Sequence, residues 1–502
     1  LLDRAGLTRF SRRLALLPLA VHKGVLRARR LADEHGGTRR AERRGREWAA
    51  AWVDSFGSLE AWLGRPGAGR LWVGPESGAR WARRTTTPAD LELAEAVLAG
   101  RIPLLGAEPL RGHPPRWLRD GYSGGEWPLE PAGAIPLMRG DGSDIRTIWE
   151  LSRCYHFVPL ARAFWRTGDP RFVAGFREQA ESWLTANPPG LGPNWVSPMD
   201  VAIRGANWAL AAVLLARAPG LPATFWAGYL ASLRLAARHI RRNLEWHPIY
   251  RGNHYISNAV GLVYLGALFR DDPEGDRWLR TGAAILEREM AWQVHPDGVS
   301  FEGSIGYHRL VTEFFAWGGA VVQRNLPAAL PPAWWQRLDR MRGFIEAYLD
   351  AEGRAPLVGD ADDGRLHYLC VEAARHPRRH RAGLPPSRAP EAAASAAFPA
   401  GGFYLLRNGR DRGIVRCGPV GLAGAGSHDH NDQLALELSL DGRDLITDSG
   451  TFTYTRDLVR RFAFRSVRAH NAVQLGDEEP NPIAIDRPWR VLADRTRSRC
   501  DH

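Results

Sequence analysis

At 502 residues the chain is too long for one ordinary core, and its 44% apolar content is enough to bury two or three domains. Its 67 basic against 55 acidic side chains give a net charge of +12, nearly all of it from arginine; base composition explains that surplus as well as function does, yet a positive field favours a polyanion as partner. The four cysteines, Cys154, Cys370, Cys417 and Cys500, lie far apart, which excludes a thiolate metal knuckle and a dense disulfide framework.

In chain order, residues 1–60 read as a basic helical arm, a charge run expected to be solvated. Its opening segment has too short an apolar run for a membrane span and no small-residue cleavage site, so it reads as an amphipathic helix and leaves export open. Residues 61–145 are rich in Gly, Pro and Trp and predict short strands and loops. From 146 to 376 the pattern becomes helices of about 15–20 residues with Gly, Pro, Asn or Asp between them. One is predicted through WELSRCYHFVPLARAFWRTG, stopped at Gly168. Eight or so such helices in pairs, with no strands between, predict α-hairpins curled into a toroid or solenoid.

Residues 377–397 read as a Pro/Ala/Arg-rich linker. From 398 to 502, GGFYLLRNG, DRGIVRCG, QLALELSLDG, RDLITDSG and HNAVQLGD are short alternating runs bounded by turn residues, the pattern of antiparallel strands in a β-sandwich. About a hundred residues make a small sandwich, so the sequence is expected to stop inside this domain.

Chemistry concentrates late in the chain, where His428, His430, Asp448 and His470 fall in strand-like segments. On a strand His428 and His430 would point the same way. Imidazoles with a carboxylate suit a Zn²⁺ site, an acid/base site, or a hydrogen-bonded structural pair, and residue types alone leave these open. Two further constellations stand at predicted helix starts: RGNHYISN, with Asn253 and His254, and DGVSFEGSIGYHRL, with Tyr307 and His308. An Asn there can be only a cap and a His only a buried core residue. Helix starts on one rim of an array also present side chains and unpaired N–H groups to an anion.

WELSRCYHF, NWVSPMDVAIRGANW, GNHYISN, FEGSIGYH, PLVGDADDGR, HDHNDQLALELSLDG, LITDSGTFTYT and FRSVRAHNAV, in this order, resemble the heparinase II/III-like polysaccharide lyases, which include heparin/heparan sulfate lyases and related alginate and oligoalginate lyases. The resemblance implies an incomplete (α/α) toroid followed by an antiparallel β-sandwich, with the active site in the cleft between them. It implies β-elimination at a 4-linked uronic acid and an acidic polysaccharide as partner, with no nucleic acid and no integral membrane segment. Asn253 and His254 would neutralise the uronate carboxylate, while Tyr307 and His428 would act as acid and base. Zn²⁺ would sit on His430, Asp448 and His470 in a structural role, which separates His430 from His428. Arg204, Asn207, Arg465 and Asn471 would contact acidic sugars, with buried pairing of the arginines as the alternative. Trp149, Trp195 and Trp208 would stack on sugars or, more simply, fill the toroid core. Asp429 inside HDH, and Phe462 or Phe464 in place of an aromatic Tyr, depart from the family pattern.

The resemblance also implies a bacterial periplasmic or extracellular setting, with the cytoplasm left open by the missing signal pattern. A non-catalytic polysaccharide-binding or assembly protein is the alternative from another class. A metal-dependent hydrolase is a third, and its product would lack the conjugated double bond.

Overall fold

The computed structural model describes residues 38–104, 107–110, 112–361, 364–385 and 394–501. Most of the basic arm, residues 1–37, lies outside them. Its last part does not behave as a solvated arm. The helix Thr38–Phe56 packs on Ala223–Arg242, and Trp52 is buried in the main core with Trp62. Aromatic burial at these positions outweighs the charge run on the rest of the helix.

The Gly/Pro/Trp-rich stretch, expected as strands and loops, contains two helices, Pro75–Thr85 and Pro88–Leu98. Each opens with proline in its first turn, where the missing N–H costs nothing. Thr87 and Asp90 close a capping box on the second, with Asp90 N–H donating to Thr87 Oγ1 at 3.2 Å and Thr87 N–H to Asp90 Oδ2 at 2.9 Å.

The helical array then runs from Ile145–Ser152 to Pro332–Tyr348. The single helix predicted across residues 149–168 is broken in two at Cys154, which takes a left-handed φ of 51°. The Arg153 carbonyl freed by the break accepts from Asn207 Nδ2 at 3.2 Å. Gly168 ends the second piece in the left-handed conformation, as predicted. Asn253–Leu268 is the central helix and packs against Pro198–Leu215, Pro273–Gln293 and Ile305–Asn325. Its contact with Pro273–Gln293 is close because Gly266 has no side chain: a Cβ there would lie 2.3 Å from the Leu279 amide nitrogen. Trp195 and Trp208 are buried in this core.

Beyond the toroid, Ala396–Phe398, Phe403–Asn408, Asp411–Arg416, Leu436–Leu440 and Arg443–Ile446 form one antiparallel meander in sequential order. Among the described residues these strands make a single sheet. Asp441 and Gly442, both at positive φ, turn the last hairpin in the manner of an Asp-Gly pair. Phe403, Leu405 and Ile414 bury the inner face against Phe344 and Tyr348 of the helix Pro332–Tyr348. The toroid and sheet therefore share a core. HNAVQLGD, expected as a strand, is irregular, and so is the HDH segment.

Candidate active site

Two helix starts face the sheet domain. Asn253 begins one helix, and its backbone N–H and Nδ2 donate to the two oxygens of buried Glu302 at 2.6 and 2.8 Å. Glu302 thus orients the amide. His254, one residue on, is half-exposed and its Nδ1 meets Glu245 Oε1 at 2.7 Å. Burial lowers the pKa of this imidazole, and Glu245 more than offsets it, raising it to about 9. His254 is therefore a cation at neutral pH. Glu245 is itself fixed by Asn258 Nδ2 at 3.0 Å and the Met199 amide at 2.9 Å.

The second helix, Ile305–Asn325, is capped by Ser304, whose Oγ accepts from the Tyr307 amide at 3.1 Å and donates to the Asp360 carbonyl at 2.5 Å. The Tyr307 ring stacks face to face on His428, with centroids 3.6 Å apart and planes 15° apart. The toroid and the sheet domain meet at that contact.

His428 lies in a loop, not on a strand, so the alternation argument does not explain its direction. Asp360 does. Its backbone N–H donates to the His428 carbonyl at 2.8 Å, and its Oδ2 meets His428 Nδ1 at 2.9 Å. Its Oδ1 meets His430 Nε2 at 2.8 Å and accepts from Thr451 Oγ1 at 3.1 Å. Arg461 grips both oxygens, with Nη2 to Oδ2 at 2.8 Å. Burial raises this carboxyl's pKa, yet Arg461 and the two imidazoles hold it well below the usual carboxylate range. An ionised Asp360 accepts the His428 Nδ1 proton and leaves Nε2 on the side of Glu302, whose Oε2 is 3.7 Å away. Gly359 makes the approach possible: its φ is 68°, and a Cβ would come within 2.9 Å of the His428 carbonyl oxygen.

Asp360, Glu302, Glu245 and Arg461 were not singled out from the sequence. Asp360 stood in PLVGDADDGR, one of the quoted motifs, in a segment with no helical or strand period to assign it a direction. The spacing carried no signal for Glu245 or Arg461.

Of the four expected sugar contacts, Arg204, Asn207 and Arg465 are buried and Asn471 is exposed. Arg204 is buried inside the toroid, donating to Ser152 Oγ at 2.9 Å and the Asn194 carbonyl at 3.2 Å beneath Trp183, and burial lowers its pKa to about 10. Asn207 is fully buried, bonded to three backbone carbonyls and to His367 Nδ1. Arg465 donates to the carbonyls of Pro488 at 2.7 Å and Gly426 at 2.6 Å. Asn471 is exposed and donates to the Thr447 carbonyl at 2.9 Å. Arg204, Asn207 and Arg465 are thus engaged inside the protein, in line with the buried alternative for the two arginines, while Asn471 stays at the surface. His308 is a core residue: its Nδ1 accepts from the Ser300 amide at 3.1 Å, its Nε2 reaches the Met341 carbonyl, and burial lowers its pKa to about 4. Asp429, the departure inside HDH, turns inward to the Gly421 amide at 2.6 Å and to Arg416. It does not enter the cleft face.

The three expected metal ligands lie together behind His428. The His430 and His470 rings are 5.2 Å apart, and His470 Nδ1 meets Asp448 Oδ2 at 2.7 Å. His430 Nδ1 and His470 Nε2 are buried with no hydrogen-bond partner, as are both oxygens of nearby Asp432. Burial pushes the Asp432 carboxyl up to about 8. Orphaned buried nitrogens are costly, and a divalent ion would satisfy them. By type the set fits Zn²⁺. Among the described residues, however, no three such groups already stand in a metal-holding arrangement, so binding requires the side chains to close up.

Comparisons with known proteins bear on the family and the fold. The family model for the heparinase II/III N-terminus matches residues 125–370, and that for the heparinase II/III-like C-terminal region matches residues 390–499. A heparin-sulfate lyase of Pedobacter heparinus is 25% identical over 353 residues, covering 66% of this chain and 52% of that protein. One from Bacteroides stercoris is 24% identical over 384 residues, covering 68% and 56%. The chain thus spans about half the length of the curated relatives it matches. Among solved structures, a crystal structure of heparinase III shares the fold with a TM-score of 0.64 at 19% identity, covering 88% of this chain and 69% of that one.

Proposed function

Because this chain belongs to the heparinase II/III-like family, we propose that it is a polysaccharide lyase that cleaves a uronate-containing acidic polymer by β-elimination. The observation that carries this reading is the stack of Tyr307 on His428 beside Asn253 and a cationic His254. The C5 proton of a uronate is weakly acidic because the adjacent carboxylate resists further negative charge. His254, held protonated by Glu245, supplies the opposing charge, and the Asn253 amide supplies a hydrogen bond.

A base then takes the C5 proton, the C4–O bond breaks, and an acid protonates the departing oxygen, leaving a C4–C5 double bond. His428 with Nδ1 on Asp360 has its Nε2 lone pair available as base. The Tyr307 hydroxyl is then the acid, and the roles exchange for the other C5 configuration. A phenolate needs a cation near it, and Arg461 is electrostatically coupled to Tyr307. His430, Asp448 and His470 would hold a Zn²⁺ whose contribution is to stiffen the loop that carries His428.

Incubation with a panel of uronate polymers, followed by ultraviolet absorbance of unsaturated ends, tests the reaction. Tyr307→Phe and His428→Ala should each lower turnover by about 10²–10⁴-fold with the fold retained. Saturated products would point to hydrolysis, and turnover surviving both substitutions would overturn the assignment.

A further inference from the structure

With Arg204, Asn207 and Arg465 committed to the interior, recognition of the polymer's acidic groups must fall to other residues. The segment 488–491, from the far end of the described chain, lies against the active site and is held there at three points. The Pro488 carbonyl accepts from Arg465 Nη1 at 2.7 Å, the Trp489 carbonyl accepts from Ser427 Oγ at 3.0 Å, and the Val491 amide donates to the Ala425 carbonyl at 2.9 Å. Ser427 immediately precedes His428. These contacts fix Trp489 and Arg490 relative to the acid/base pair.

The half-buried Trp489 ring is 6.5 Å from His428 and stacks on Tyr454 at 5.2 Å. Arg490 is exposed and reaches across to the toroid, where its guanidinium lies 5.0 Å over the ring of Tyr250, three residues before Asn253. Arg490 has no carboxylate ion-pair partner among the described residues, unlike Arg461 and Arg416 beside the same site. An arginine held on an aromatic face with its donor edge unused is prepared to receive a planar or tetrahedral anion.

We propose that Trp489 and Arg490 form a substrate subsite: the indole packs against a sugar ring next to the scissile linkage, and Arg490 binds that sugar's anionic substituent, a carboxylate or a sulfate ester. This inference rests on the lyase reading for its substrate class.

The test compares wild type, Arg490→Gln and Trp489→Ala on uronate polymers with and without sulfate esters, with Arg166→Gln as an exposed-arginine control outside the cleft. Arg490→Gln should raise KM about ten- to a hundredfold, with a smaller change in kcat, and should flatten the rise of KM with salt. A loss confined to sulfated polymer identifies a sulfate, and a loss on both identifies a carboxylate. Calorimetric binding of the acidic oligosaccharide to the Tyr307→Phe protein, with and without Arg490→Gln, reads the subsite without turnover. Unchanged affinity there, or an unchanged KM and salt response, would overturn the subsite even if the lyase reading stands. Absence of unsaturated products with intact, Arg490-dependent binding would instead reject the lyase reading and keep the subsite.

Discussion

Asp360 joins more of the site than any residue the sequence reading assigned a role, bonding His428, His430, Thr451 and Arg461. Replacing it with Asn would leave Arg461 buried against a neutral partner and leave one acceptor oxygen where His428 and His430 now each have their own. Asp360→Asn should therefore cut turnover about a hundredfold or more. It should also cost about 3–5 kcal/mol in denaturant unfolding, the usual consequence of breaking a buried pair. Loss of stability without loss of turnover would show that His428 is oriented by other groups. Glu245 gives a second test. His254 titrates at about 9, above its ordinary value, so the cationic form and the stability it adds are complete below about 6.5 and lost as pH rises through about 9. Substrate affinity should hold up to that pH and fall beyond it. In Glu245→Gln the fall should begin nearer neutrality, and an unmoved alkaline limb would remove His254 from carboxylate binding. Arg204 and Arg465 show why residue type alone leaves sugar contact and burial open: a charged side chain suggests a ligand, but a guanidinium can be buried when carbonyls surround it.

At the scale of elements, the toroid helices were legible because their apolar runs have helical length and several end on a breaker, as at Gly168, although Pro198–Leu215 and Asn253–Leu268 are buried on nearly every side. The strands from 403 to 446 were legible through alternation and the Asp441-Gly442 turn. The loop bearing HDH was not, because its run of polar residues leads straight into the alternating strand Leu436–Leu440 and no breaker separates the two. Its direction is set by Asp360, 68 residues earlier, a long-range contact that no local pattern encodes. This loop is also where the metal proposal belongs. Elemental analysis of the folded protein should find Zn²⁺, and His430→Ala should abolish it. Chelation should lower the melting temperature, because an ion bound only to the folded state stabilises it. Correctly folded protein with no metal would remove the site.

For the whole molecule, the candidate site exists only where two domains meet: Asn253, His254 and Tyr307 come from the toroid, and His428 from the sheet domain. The shared core makes the two inseparable in stability. Phe344 is fully buried and touches His308 on one side and Phe398 and Phe403 on the other. Phe344→Ala should cost about 3–5 kcal/mol, and helical and aromatic signals should melt together. Separate transitions would mean that the sheet docks as an independent unit.

The Asp360 amide belongs to neither a helix nor a strand, yet its N–H is bonded to the buried carbonyl of His428 across the domain junction. Deuterium can replace that hydrogen only when the junction opens. A coil residue should thus exchange as slowly as a core helix, and its exchange rate is a clock for the parting of the two halves of the cleft.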